Sequence, residues 1–233
     1  MKTLSARRRT AKLPAPTPAP EPPERGVKAA TFRLLLDSAM KIIQDAGHIP
    51  SVAEMARTSR VSRATAYRYF PSRAEVINAV MERSLGSLRA FDSVHPDGRQ
   101  RVRDLFLQTF PRFVEFEPQM RAAAQLSLEQ WGLERAGLLA EDPYRRGHRI
   151  RILGRALAPF GDLMPAPVLA RLHHALSVVY GIEAYVVLKD IWGLSDRGVE
   201  RIALWMADAL VDAALREAAA APAPRKAALR RRR

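Results

Sequence analysis

Apolar side chains recur at helical spacing through most of the chain, and strand-like alternation is scarce. Phe32, Leu35, Leu36, Ala39, Ile42 and Ile43 fall on one side of a helix over about 28–46. Gly47 is a natural stop for it. Ser51 followed by Glu54 is a capping box that opens a second helix, with Val52, Met55 and Ala56 as its apolar side. Ser62 caps a third, short helix that ends at Phe70-Pro71-Ser72. Ser72 with Glu75 opens a fourth, running to about Phe91. His95-Pro96-Asp97-Gly98 is a turn signal. Five further helices follow over roughly 99–116, 118–133, 143–159, 166–191 and 196–219, punctuated by Pro111, Pro118, Pro143, Pro159, Pro165 and Pro167. Asp196, with Arg197 and Glu200 behind it, reads as the cap of the last. The pattern predicts an all-α chain: an N-terminal three-helix unit over 26–92 and a helical bundle over 93–220.

The ends behave differently. Residues 1–25 carry Pro14, Pro16, Pro18, Pro20, Pro22 and Pro23, which rules out a stable helix and predicts a disordered or polyproline-like arm. Residues 221–233 carry Pro222 and Pro224 and close on four arginines, predicting a second disordered tail. The formal charge of +14 resides in these regions: +4 over 1–25, +4 over 26–92, zero over 93–220 and +6 over 221–233. A polyanion would therefore meet the tails and the N-terminal unit. Improved solubility is an equal account of the tails alone. Arg7-Arg8-Arg9, next to the N-terminal unit, could lie in a neighbouring minor groove of DNA.

Several classes of function drop out. No stretch of about 18 apolar residues could cross a membrane, and the basic start is not followed by the apolar core of a secretory leader. A cytoplasmic location is expected. Cysteine is absent, so disulfides and thiolate metal sites are excluded. Neither G-x-S-x-G nor G-x-x-x-x-G-K-[ST] occurs, and no acidic pair stands out as catalytic; an enzyme and a cofactor are not expected. His173-His174 lacks the i, i+4 spacing of a helical metal site, so no metal is expected either.

The short helix over Ser62–Tyr69 carries the chemistry. Two short helices joined by a tight turn can place one of them in the major groove. Val61, Ala66 and Phe70 can pack inward, leaving Arg63, Ala64, Thr65, Tyr67, Arg68 and Tyr69 on or near the outward side. Arg can bond guanine bidentately, and Thr or Ala can touch a thymine methyl. Tyr hydroxyls and Ser51 suit phosphate oxygens. Arg73, at the start of the next helix, suits phosphate as well. The bland alternatives are a solvated charged face for the arginines and core positions for the aromatics.

The stretch Val61-Ser62-Arg63-Ala64-Thr65-Ala66-Tyr67-Arg68-Tyr69-Phe70-Pro71-Ser72-Arg73 resembles the recognition-helix pattern of the TetR family of bacterial regulators, roughly V-S-x-x-T-x-Y-x-x-F-x-S-K. The resemblance covers about 28–80 and extends back through Ser51–Ala56 to Phe32. It implies base-facing roles for Arg63, Ala64, Thr65 and Arg68, and backbone-facing roles for Ser51, Tyr67, Tyr69 and Arg73. The family usually has Gly where Arg60 stands; if that position needs positive φ, Arg is strained there by roughly 1 kcal/mol. Members also often have Gly or Pro where Ala64 sits.

The resemblance implies a sequence-specific regulator, usually a repressor, that binds a palindromic operator in double-stranded DNA as a homodimer and is released by a small-molecule effector. Non-specific nucleic-acid binding driven by the tails is the alternative. The last two helices, apolar on more than one face through Tyr180, Ile182, Tyr185, Leu188, Ile202, Leu204, Trp205 and Leu210, would form the dimer interface. Phe106, Phe110, Trp131, His173 and Tyr180 are candidates for an effector pocket, with Phe113, Tyr144, Phe160 and His174 beside them, although an aromatic at helical spacing is more often core than ligand contact.

Overall fold

In the computed structural model, residues 19–220 are described, and all regular structure among them is helical. Ten α-helices run in order: α1 Gly26–Ala46, α2 Val52–Thr58, α3 Arg63–Tyr69, α4 Arg73–Arg89, α5 Gly98–Glu115, α6 Glu117–Arg135, α7 His148–Leu157, α8 Ala166–Val179, α9 Ile182–Val186 and α10 Asp196–Ala220. A short 3-10 turn follows α7, and a π-turn over Val187–Ile191 follows α9. The tail over 221–233 and most of the basic arm, including Arg7-Arg8-Arg9 and its expected groove contact, lie outside the described residues.

The first four helices form where the capping residues placed them. Ser51, Ser62 and Ser72 each accept a hydrogen bond from the amide three residues on, at 3.1–3.2 Å. Each such cap is worth about 1 kcal/mol. The box at Ser51 is not reciprocal: the Glu54 carboxylate turns to His48 at 3.2 Å. α1 packs on α2, α4 and α6. Leu35, Ala39 and Ile43 from α1, Met55 from α2, Ala66 from α3 and Phe70 just after it lose all solvent contact. Phe32 stacks on Phe70 with ring centroids 5.0 Å apart. The apolar core continues from here through α4 and α6 to α10.

α10 packs against α5 and α8 along Val199, Ala203, Ala207, Val211 and Ala214. The small residues let the helices approach closely. Arg99–Asp212 and Arg103–Asp208 tie α10 to α5, and Arg171–Glu217 ties it to α8.

Four sequence expectations are corrected here. Pro111 does not punctuate; it lies inside α5. The carbonyl deprived of its donor belongs to Leu107, an exposed residue, where water can serve it. The helix expected from 143 starts at His148, because residues 138–147 are held as a loop by side-chain contacts described below. The helix expected over 166–191 breaks at Tyr180-Gly181. The Arg149 guanidinium lies 2.2 Å from where a β-carbon on Gly181 would stand. Finally, Ser195 rather than Asp196 caps α10, its hydroxyl accepting from the Gly198 amide at 3.3 Å. Asp196 instead takes Lys189 at 2.8 Å and the Tyr185 hydroxyl at 2.6 Å.

Gly98 opens α5 directly under a buried ring. A β-carbon there would stand 2.6–2.9 Å from three ring atoms of Phe160, which is 2% exposed. Gly98→Ala is therefore expected to destabilise the protein by about 1–3 kcal/mol. Urea denaturation measures it; an unchanged midpoint would mean that the ring moves aside freely.

Candidate nucleic-acid interface and internal cavity

The turn between α2 and α3 sets the angle of the reading helix. The Val61 amide donates to the Ala56 carbonyl at 3.0 Å and the Arg60 amide to the Arg57 carbonyl at 3.3 Å. This is a Schellman closure, with Arg60 as its left-handed residue at φ 55°. Val61, beyond it, tucks against the core. The strain expected from the sequence at Arg60 is thus present. Arg60→Gly should relieve about 1–2 kcal/mol of left-handed strain and lose about 0.5–1 kcal/mol to chain entropy. A small net stabilisation is expected in urea denaturation, and a destabilised variant would count against it.

α3 presents Arg63, Ala64, Tyr67 and Arg68 to solvent on one side and buries Ala66 on the other. Tyr67 is 47% exposed. Ser51 is exposed at the start of α2. Its oxygen accepts from Glu54, which leaves the hydroxyl proton for an anion. Thr65 is half-buried, and its hydroxyl accepts from Ser62 at 2.9 Å. Tyr69 is also half-buried, its ring edge-on to Phe32 at 6.2 Å and beneath the Arg68 guanidinium at 5.8 Å. Tyr69 therefore belongs partly to the core that props α3. Exposed Arg57 and Arg60 extend the basic face, giving a cluster of cations with no ion-pair partner among the described residues. Such a face suits a polyanion.

Arg73 stands apart. Its guanidinium grips Glu129 of α6 in two bonds, at 2.7 and 3.1 Å. Its backbone amide, at the α4 N-terminus, donates to Glu141 at 3.1 Å. Two carboxylates thus sit where sequence reasoning placed a phosphate, and Arg73 holds the Glu129 carboxyl below its ordinary pKa. A chain of contacts continues from there. Gln130 donates to Glu141 at 3.0 Å, and its oxygen accepts from the Tyr144 amide at 2.6 Å. These contacts fix the 138–147 loop. Nothing in the sequence signalled them, since Arg73 and Glu141 are 68 residues apart.

Tyr144 is one wall of an internal cavity of about 360 Å³ between α4, α5, α6, α7 and the α8–α9 break. Met81, Leu85, Phe113 and Met120 make its apolar side. Tyr180, 7% exposed, bonds Thr109 at 2.8 Å. Burial pushes its hydroxyl up to about 12, so it stays neutral. Of the nine residues named from sequence for a pocket, Phe113, Tyr144 and Tyr180 line this cavity. Phe106 and Phe110 are core, at 0% and 4% exposure. Trp131 is 63% exposed on the outer side of α6. His173 bonds the Ile150 carbonyl at 2.9 Å. Helical periodicity marked these side chains as apolar or aromatic but did not show which of them face a void. Arg146, Arg149 and Glu183 at the cavity's edge escaped sequence reading because they come from separate elements. Among the described residues, no three His, Asp or Glu converge to hold a metal, and no helix is long and apolar enough to cross a membrane.

No protein-family model matches the chain. A curated relative does: the HTH-type transcriptional regulator BetI of Rhizobium meliloti (strain 1021) is 32% identical over 147 residues, 60% of this chain and 72% of the relative. Joined to a short basic helix standing clear of its support on a Schellman turn, that likeness assigns the chain to the HTH-type transcriptional regulators, DNA-binding proteins of which BetI is one.

Proposed function

We propose that this protein is a TetR-type repressor that binds a palindromic operator as a homodimer and leaves it when a small molecule fills the internal cavity. The observation that carries the DNA-reading part is the exposure of Arg63, Ala64, Tyr67 and Arg68 along one side of α3 while Ala66 and Phe70 anchor the other. In the major groove, Arg63 and Arg68 would read base edges, with Ala64 and the Thr65 methyl available to thymine methyls. Ser51, Tyr67 and the Tyr69 hydroxyl would hold phosphates. Arg73 would exchange Glu129 for a phosphate or remain the strut between α4 and α6. Residues 26–92 act as the reading unit and 93–220 as the regulatory and dimerising unit.

The outer face of α8 and α10 supports the dimer. Trp205 is 67% and Val178 68% exposed, and Ala209 and Ala213 continue the apolar face one and two turns beyond Trp205. A two-fold axis there would set two readers roughly one DNA turn apart, about 34–36 Å. The cavity supports effector control, because Met81 and Leu85 are on α4, the helix that α3 leads into. The Tyr144–Gln130–Glu141 chain also runs from the cavity to the α4 N-terminus. A ligand that displaces either contact would change how α3 is held.

Capture of sheared genomic DNA from the protein's own source tests the proposal. A few fragments sharing a palindrome with half-sites about one helical turn apart are expected, and they should dissociate on addition of a ligand that fills the cavity. Uniform recovery of all fragments would instead favour non-specific binding by the basic tails.

A further inference from the structure

The charge at the edge of the cavity points to the kind of molecule that fills it. The interior, lined by Met81, Leu85, Phe113 and Met120, offers no charged group. The edge at the start of α7 does. Arg146 Nη2 reaches one Glu183 carboxylate oxygen at 2.6 Å, and Arg149 Nη2 reaches the other at 2.7 Å. Arg149 also donates to the Ser177 carbonyl at 2.7 Å. Glu183 is the single acid lining the cavity, so two guanidinium groups face one carboxylate and the edge carries a net positive charge. Burial disfavours the Glu183 carboxylate, but the two arginines outweigh it and hold its pKa below the ordinary value, so the pairing persists at neutral pH. The α7 N-terminus beside them has no side-chain cap, and the positive end of its helix dipole adds potential of the same sign. All three charged side chains are partly exposed, at 27–46%, so this end opens to solvent while the apolar end is closed in.

A cavity with one apolar end and one cationic edge matches a molecule divided the same way. We propose that the cavity binds an amphiphilic anion, an apolar body carrying one carboxylate-type headgroup, with the headgroup at Arg146 and the body between α4, α5 and α6. The inference rests on reading the cavity as the effector site and names the effector's chemical class. The volume lies at the low end of the roughly 300–1,000 Å³ usual for small-molecule sites, which suits a medium-length acyl chain or a fused aromatic ring. A cationic ligand would have to displace two arginines from Glu183 and leave them facing a like charge. A neutral one would forgo the guanidinium contacts, which are the stronger kind of hydrogen bond.

Calorimetric titration of the full-length chain with four probes, each below its micelle concentration, tests this. Decanoate and naphthoate carry the anion on a flexible and a rigid apolar body; decanol and decyltrimethylammonium replace the anion with a hydroxyl and a cation. At least one carboxylate is expected to bind about tenfold or more tighter than decanol, with decyltrimethylammonium weakest. Which carboxylate wins distinguishes the acyl from the aromatic class. Arg146→Glu should cost the preferred carboxylate about tenfold or more and leave decanol little changed. Met120→Trp, which fills the apolar end, should weaken the carboxylate and decanol alike, and circular dichroism confirms that both variants fold. Equal binding of decanol and the carboxylates, tighter binding of the cation, or indifference to Arg146→Glu would overturn the proposal. Release of DNA is read separately. A carboxylate that binds without releasing the operator supports the ligand class and counts only against effector control.

Discussion

Replacing Arg63 and Tyr67 together by alanine is expected to cost the protein about 10²–10³-fold in affinity for its operator and markedly less in affinity for unrelated DNA, which loses only a charge and a phosphate contact. The arginine accounts for the specific part: one good bidentate base contact is worth about 1–3 kcal/mol. Tyr67 adds a phosphate contact that fixes the helix in register. Neither side chain makes a hydrogen bond or an ion pair among the described residues, and both stand in solvent, so the fold should not notice their loss. Arg151→Ala, which removes one charge from the exposed side of α7, is the control for net charge. Fluorescence anisotropy on specific and scrambled duplexes measures both affinities at one salt concentration, since both depend steeply on salt. Equal losses on the two duplexes would mean that α3 contributes charge and not sequence recognition.

Trp205→Glu is expected to have the second large effect, through assembly. A tryptophan buries about 150–250 Å² when a partner covers it, and residues of this kind at the centre of an interface commonly carry 2 kcal/mol or more of binding energy. A carboxylate in its place would be desolvated when the two chains associate. The variant should sediment as a monomer and lose about a hundredfold or more in operator affinity, because one reader alone forgoes the second half-site. Trp205 is exposed in the single chain, so far-ultraviolet circular dichroism should remain that of an all-helical protein. A variant that still sediments as a dimer would place the interface elsewhere.

The parts of this molecule that sequence reveals are those governed by near neighbours. Ser51, Ser62 and Ser72 each bond an amide three residues away, so their helices start where the letters place them. Arg60 was marked by the absence of glycine in the turn, and it sits at φ 55°. In the seven-residue helix α3, Ala66 turns in while Arg63 and Tyr67 stay out, as local packing of so short a helix requires. Contacts between distant residues were hidden. Residues 166–191 hold a single interior glycine and no proline beyond Pro167, so periodicity alone runs one helix through them. The chain breaks at Tyr180 because that ring turns inward to Thr109, and Arg149 from another helix occupies the space beside Gly181. The same holds for Arg73. Its position at a helix start suggested a phosphate, and the carboxylates that occupy it come from 56 and 68 residues away.

Selection from a randomised duplex pool, run in parallel with the wild-type chain and the Arg63→Ala, Tyr67→Ala double variant, bears most directly on α3 as the reader of a specific site. Enrichment of a palindromic sequence by the wild type, lost in the variant, is the expected result. Failure of either protein to enrich any sequence, with equal retention of the pool by both, would contradict it and leave the basic tails as the source of binding.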